Sequence, residues 1–219
     1  QIEHNTNAPN RPGPNETRRP DCARLDEARA RAYLKHWITR IGLPAMALLP
    51  IITAPDKRLK IKSTHVERVD DALRKLMDDM LETMYAAPGI GLAAVQIGVP
   101  KRIIVLDLAR GDEDPAPYFM VNPEVIWTSD ETEPYEEGCL SLPGHYAEVI
   151  RPVAARIRYL DRDNEIRELE AEDVLATCVQ HEIDHLEGVL FVDHISTVKR
   201  SMILRKLAKA KRADTKVSA

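Results

Sequence analysis

The chain has 219 residues, of which 44% are hydrophobic and 30% charged, ordinary proportions for a globular protein with a core to bury. Its formal net charge of −4 gives no general attraction to nucleic acid or to an anionic membrane. Three cysteines, Cys22, Cys139 and Cys178, are too few for a disulfide framework, so a reducing, cytoplasmic location is expected.

Residues 1–45 differ in character from the rest of the chain. "NAPNRPGPNETRRP" is rich in Pro, Asn and Arg and has little to bury. A helix over 23–41 is the one element this part can offer, and Asp21, Asp26 and Glu27 argue against a transit peptide. The chain begins at Gln1, and Met46 opens a segment of a different kind. Residues 1–45 are therefore expected to be an extension, disordered or partly helical, ahead of a natural start at Met46. The apolar stretch "IGLPAMALLPIITAP" is cut by Pro44, Pro50 and Pro55, and no run reaches the roughly 18 residues of a membrane span.

From Ser63 to Gly89 the apolar period is helical, through Val66, Val69, Leu73, Leu76, Met80 and Met84, with Ser63 or Thr64 as the cap and Pro88-Gly89 as the stop. Short β-like runs come next at 102–108, 118–126, 154–161 and 165–171, the last two joined by a "DRDN" turn. "EDVLATCVQHEIDHLEG" then predicts a helix ending at Gly188. Another begins after Ser196, with Val198, Met202, Ile203 and Leu207 on one side. Strands gathered between helices predict an α+β fold.

The helix that ends at Gly188 carries the strongest chemical signal. His181, Glu182 and His185 form H-E-x-x-H, which places two imidazoles one turn apart on one face, with the glutamate beside them. Both can reach one metal ion at about 2.1 Å. A third ligand must come from elsewhere. The position six after His185 is Phe191, not histidine, and there is no Glu beyond Glu187. Asp193 and His194 lie past the helix end. Cys178 lies seven residues from His185, roughly 10 Å of helical rise, too far to converge, and reads as a pocket wall or core thiol. Cys139, in "EEGCLSLPG", remains; the glycines and proline around it describe tight, exposed backbone. Two histidines and a cysteine leave a fourth position open, as catalytic metals require.

"GIGLAAVQIG", Gly89 to Gly98, fits a dinucleotide fingerprint in spelling, but it comes after a helix rather than a strand. The better reading is a loop where backbone approaches a ligand, then a strand presenting the amide of Gln96.

Taken in order, "GIGLAAVQ", "EGCLS" and "QHEIDH" resemble the three signature motifs of the peptide deformylases, of the bacterial type, over roughly Met46 to the C-terminal helix. The resemblance implies a catalytic domain over 46–219, with small mixed or antiparallel β-sheets packed around a central helix carrying the H-E-x-x-H motif, and a C-terminal helix. It implies a metallo-amidohydrolase that removes the formyl group from the N-terminal methionine of nascent proteins. Cys139, His181 and His185 would hold one divalent ion, natively Fe(II), with Zn, Ni or Co able to replace it. Glu182 would be general base and then acid, and Gln96 with the Leu140 N–H would form the oxyanion hole. Gly91, with Gly89 beside it, would offer backbone to the substrate, and Ile90 would help line the methionine pocket. Many members carry Arg where this chain has Tyr146. A zinc endopeptidase and an inactive metal-binding relative are the rival readings; the presence of Glu182, Gln96 and the full ligand set favours the enzyme.

Neither DNA nor membrane is implied as a partner. The segment 197–212 carries Lys199, Arg200, Arg205, Lys206, Lys209, Lys211 and Arg212 with no acid. It reads as a solvated basic end suited to the helix dipole, or as a contact with ribosomal RNA.

Overall fold

The structure is a computed structural model and describes residues 47–109 and 113–217. The expectations for residues 1–45, including the helix over 23–41, lie outside the described residues.

Among the described residues, three α-helices and seven strands make up the fold. Helix α1 spans Asp71–Ala86, α2 Asp173–Leu186 and α3 Thr197–Val217. The strands are β1 (Gly91–Ala93), β2 (Ile103–Leu106), β3 (Tyr118–Thr128), β4 (Thr132–Gly138), β5 (Tyr146–Pro152), β6 (Ala154–Leu160) and β7 (Ile166–Glu172). They form an antiparallel five-stranded sheet, in the order β1-β2-β3-β6-β7, and a separate antiparallel pair, β4-β5. The fold is α+β, as expected. No described helix is long and apolar enough to cross a membrane.

Strand β2 explains its own sequence. Its four residues are all buried because successive side chains face opposite ways and both faces are covered. Ile103 and Val105 join Met77, Met80 and Met84 of α1, whereas Ile104 and Leu106 join Ala176, Val179 and Leu186 of α2. Helix α2 also touches β5, so it lies between the two sheets. A third cluster ties Leu142 and Val149 of the hairpin region to Phe191 and to Leu207 of α3.

Three expectations need correction. Helix α1 starts at Asp71, capped by Asp70, whose side chain accepts from Leu73 N–H at 2.8 Å, not at Ser63 or Thr64. Val66 and Val69 are buried but not helical. Asn122 accepts from the Val66 N–H and donates to its carbonyl, and Asn164 does the same for Val69. These long-range bonds occupy backbone groups that a helix would have used. Strands β4 and β5 were not expected, because "TEPYEEG" carries proline, glycine and three glutamates. In α3 the packed residues are Ile203, Leu204 and Leu207, while Val198 and Met202 are 70% and 49% exposed.

Candidate metal centre

Helix α2 ends in a Schellman turn. Val189 N–H donates to Asp184 O at 2.9 Å and Gly188 N–H to His185 O at 3.1 Å. Gly188 has φ 74°, and a Cβ there would lie 2.7 Å from Lys60 O, so this turn requires glycine twice over. The locked helix presents His181 and His185, both buried, with ring centroids 4.9 Å apart. Cys139 comes directly after β4, its Sγ 3.2 Å from His185 Nε2. One donor atom from each of Cys139, His181 and His185 falls within 4.8 Å of the others.

Around this group runs a chain of charge. His181 Nδ1 donates to Glu137 Oε2 at 2.7 Å, which turns Nε2 toward the cysteine side. Arg151 holds Glu137 with two bonds, at 2.5 and 3.0 Å, and reaches Asp184 Oδ2 at 2.9 Å. His194 Nε2 meets the same Asp184 oxygen at 2.7 Å. Burial opposes charge on Glu137, but the bonds from His181 and Arg151 outweigh it and bring its carboxyl down to about 2.

Glu182 is buried, and its Oε2 has no hydrogen-bond partner among the described residues. Burial, more than any nearby charge, raises its carboxyl to about 7. Its carboxylate fills the space where a side chain on Gly91 would start: a Cβ there would lie 2.9 Å from Glu182 Cδ. Gly89 is similarly close to Leu140, whose Cδ1 would be 2.7 Å from an added Cβ. Gln96 sits in a short 3-10 turn, Ala94–Ile97, and not on a strand as expected; β1 ends at Ala93 and the chain tightens toward Gly98 at φ 83°. The Gln96 Oε1 accepts from Ala93 N–H at 2.7 Å, while Nε2 donates to Ser141 Oγ at 3.1 Å and to Cys139 Sγ at 3.5 Å. A cleft of about 320 Å³ runs over these groups, with Gly89, Ile90, Gly91 and Leu140 in its walls.

Residues 48–201 match the family model described as "Polypeptide deformylase". The chain belongs to the peptide deformylase family. It is 58% identical over 168 residues to the peptide deformylase of Phenylobacterium zucineum (strain HLK1), covering 77% of this chain and 99% of that one. The crystal structure of the peptide deformylase from Ehrlichia chaffeensis is similar with a TM-score of 0.74 and 43% identity, over 77% of this chain and 99% of the other. A class I type b peptide deformylase from Acinetobacter baumannii, with Met-Ala-Ser bound, has a TM-score of 0.65 and 34% identity over 69% of this chain and 100% of that one.

Membership of the deformylase family makes the chain a hydrolase of N-terminal processing and sets aside the endopeptidase reading. The family is metal-dependent, and the Cys139, His181 and His185 group is able to hold an ion. Asp193 and His194 do not join it: Asp193 pairs with Lys60 and Arg200, and His194 pairs with Asp184. Cys178 lines the cleft wall, its Sγ 3.8 Å from Ile90 O. Tyr146 opens β5 and also lines the cleft. The backbone after Cys139 is tight and only partly exposed: Ser141 and Leu142 are buried, whereas Pro143 and Gly144 are exposed.

Sequence reasoning missed Glu137, Arg151 and Asp184. One signal was available: a histidine that binds metal through one nitrogen needs an acceptor for the other, and Glu137 stands two residues before Cys139.

Proposed function

We propose that the protein is a metal-dependent hydrolase that removes the N-formyl group from the N-terminal methionine of newly made proteins and releases formate. The observation that carries this is one juxtaposition: a thiol and two imidazoles converge beside a buried carboxylate at the floor of an open cleft. The donor set of one thiol and two imidazoles suits a first-row divalent ion. Cys139, His181 and His185 would hold that ion, natively Fe(II), with Zn, Ni or Co as substitutes. When bound, it supplies Lewis acidity, polarising the formyl carbonyl and making a water acidic enough to lose a proton near neutral pH.

The remaining steps belong to side chains and backbone. Glu182 takes the proton of the attacking water on a carboxylate oxygen, for which a raised pKa is suited. The Leu140 N–H and Gln96 Nε2 donate to the formyl oxygen as it gains charge, Gln96 exchanging its long contact with Cys139 for this one. Glu182 then returns the proton to the methionine nitrogen as the C–N bond breaks, leaving formate and a free amine. Gly89 and Gly91 offer backbone to the substrate, and Ile90 lines the pocket for the methionine side chain. The same crowding leaves room for hydrogen at the acyl carbon but not for methyl.

The catalytic domain covers residues 46–219 and works in the cytoplasm, with residues 1–45 as an extension that activity does not need. Arg205, Lys206 and Lys209, exposed on α3, are the proposed contact with ribosomal RNA.

The test compares kcat/KM for formyl-Met-Ala-Ser and acetyl-Met-Ala-Ser, with an internal peptide as control. Formate release from the first substrate alone is expected. Equal rates for the two acyl groups, or cleavage of the internal bond, would overturn the reading.

A further inference from the structure

Both ends of the Gln96 amide are engaged, although its side chain is only 1% exposed and lies at the edge of a cleft. The Ala93 N–H can only donate, so the atom it meets at 2.7 Å is the amide oxygen, and the other end is the nitrogen. That nitrogen carries two hydrogens. One goes to the Ser141 hydroxyl oxygen at 3.1 Å, and the other lies along the long contact, 3.5 Å, with Cys139 Sγ. The last torsion of a glutamine is soft, so a single bond at Oε1 leaves the amide plane free to turn. The bond to Ser141, at the opposite end, removes that freedom.

Ser141 is itself well held. It is buried, its carbonyl accepts from the Ala54 N–H at 2.8 Å, and its N–H donates to Cys139 Sγ at 3.4 Å. The hydroxyl therefore hangs from the same short segment that carries the thiol and the Leu140 N–H. We propose that Ser141 is a positioning residue for the reaction: its hydroxyl takes one amide hydrogen of Gln96 and fixes the other where the formyl oxygen gains charge. The proposal rests on the deformylase reading and adds what holds one of its two oxyanion donors in place. A donor stabilises a developing charge best when it needs no reorganisation. Loss of the donor outright costs about a hundred- to a thousandfold in kcat. Loss of its orientation alone, with Oε1 still anchored, should cost about tenfold.

The experiment is a double-mutant cycle on kcat and KM for formyl-Met-Ala-Ser, expressed per bound metal ion, with the wild-type protein, Ser141→Ala, Gln96→Ala and the double variant. Gln96→Met, which keeps the length of the side chain, takes the place of Gln96→Ala if that variant does not fold. Ser141→Ala keeps the backbone N–H that reaches Cys139 Sγ, so its metal content should match the wild type. Its kcat should fall about tenfold with KM nearly unchanged. In the Gln96→Ala background the same substitution should change kcat by less than about twofold, because no amide is left to orient. A serine that only supports the fold would cost the same in both backgrounds, and that result overturns the assignment. So does a Ser141→Ala variant with wild-type kcat. Failure of the metal-replete wild type to release formate would overturn the deformylase reading, whereas an additive cycle in an active enzyme would overturn the Ser141 assignment alone.

Discussion

Cys139 and the histidine pair reach the same point from parts of the molecule that are held in different ways. Helix α2 is fixed by hydrocarbon, with Ala176, Val179 and Leu186 packed on the sheet that also buries Ile104 and Leu106. The β4-β5 pair that delivers Cys139 is short and largely exposed on β4, and charge holds it: Glu137 on β4 to Arg151 on β5, and Arg151 to Asp184 on α2. Hydrocarbon packing is forgiving, since many side chains of similar volume serve. A buried ion pair depends on its named partners, because removal of one leaves the other desolvated and unpaired. The geometry of the centre is therefore more fragile on the cysteine side.

The largest effect should come where the two parts meet. Glu182→Gln should lower turnover by about a hundred- to ten-thousandfold while keeping fold and metal, measured as formate release against metal content. Near-normal turnover in a metal-replete sample would remove Glu182 from the mechanism. Next, Arg151→Met should destabilise by about 3–5 kcal/mol in a denaturant titration and weaken metal binding by about ten- to a hundredfold, since Glu137 loses the partner that steadies it under His181. On the hydrocarbon side, Leu186→Ala should cost about 2–5 kcal/mol with metal affinity nearly unchanged. If the two variants affect metal binding alike, the contrast between the two parts is wrong.

A finer pair separates the two glycines. In Gly91→Ala the new methyl meets the Glu182 carboxyl, and a displacement of about 1 Å there should lower kcat about a hundredfold. In Gly89→Ala it meets the far end of the flexible Leu140 side chain, and the loss should be clearly smaller. The smallest expected effect is on α3, where Met202→Ala should stay within about 0.5 kcal/mol and Leu207→Ala should cost about 2 kcal/mol or more.

The same contrast decides what was legible in the sequence. The apolar runs of β2, α1 and α2 could be read because their periods follow directly from burial. His181, Glu182 and His185 could be read because helix geometry fixes which side chains are neighbours. The β4-β5 pair could not, since its buried residues are Glu137, Val149 and Arg151, only one of them apolar, rather than an alternating apolar set. Nor could the start of α1, which depends on Asn122 and Asn164 from 56 and 95 residues away. Gln96 was found by its motif but placed on the wrong element, because a 3-10 turn of four residues has no periodic signature. The packed face of α3 was misjudged because Ile203, Leu204 and Leu207 dock on Phe191 and Leu142, a surface that no local pattern reveals.

The central claim is that Cys139 completes the centre begun by the two histidines, and metal content tests it most directly. Wild-type protein, Glu182→Gln and Cys139→Ala are purified without oxygen, and divalent metal is measured per chain beside a melting curve. The account predicts about one ion per chain in the first two and almost none in a folded Cys139→Ala, by the three-ligand requirement of a catalytic site. Stoichiometric metal in Cys139→Ala would contradict it.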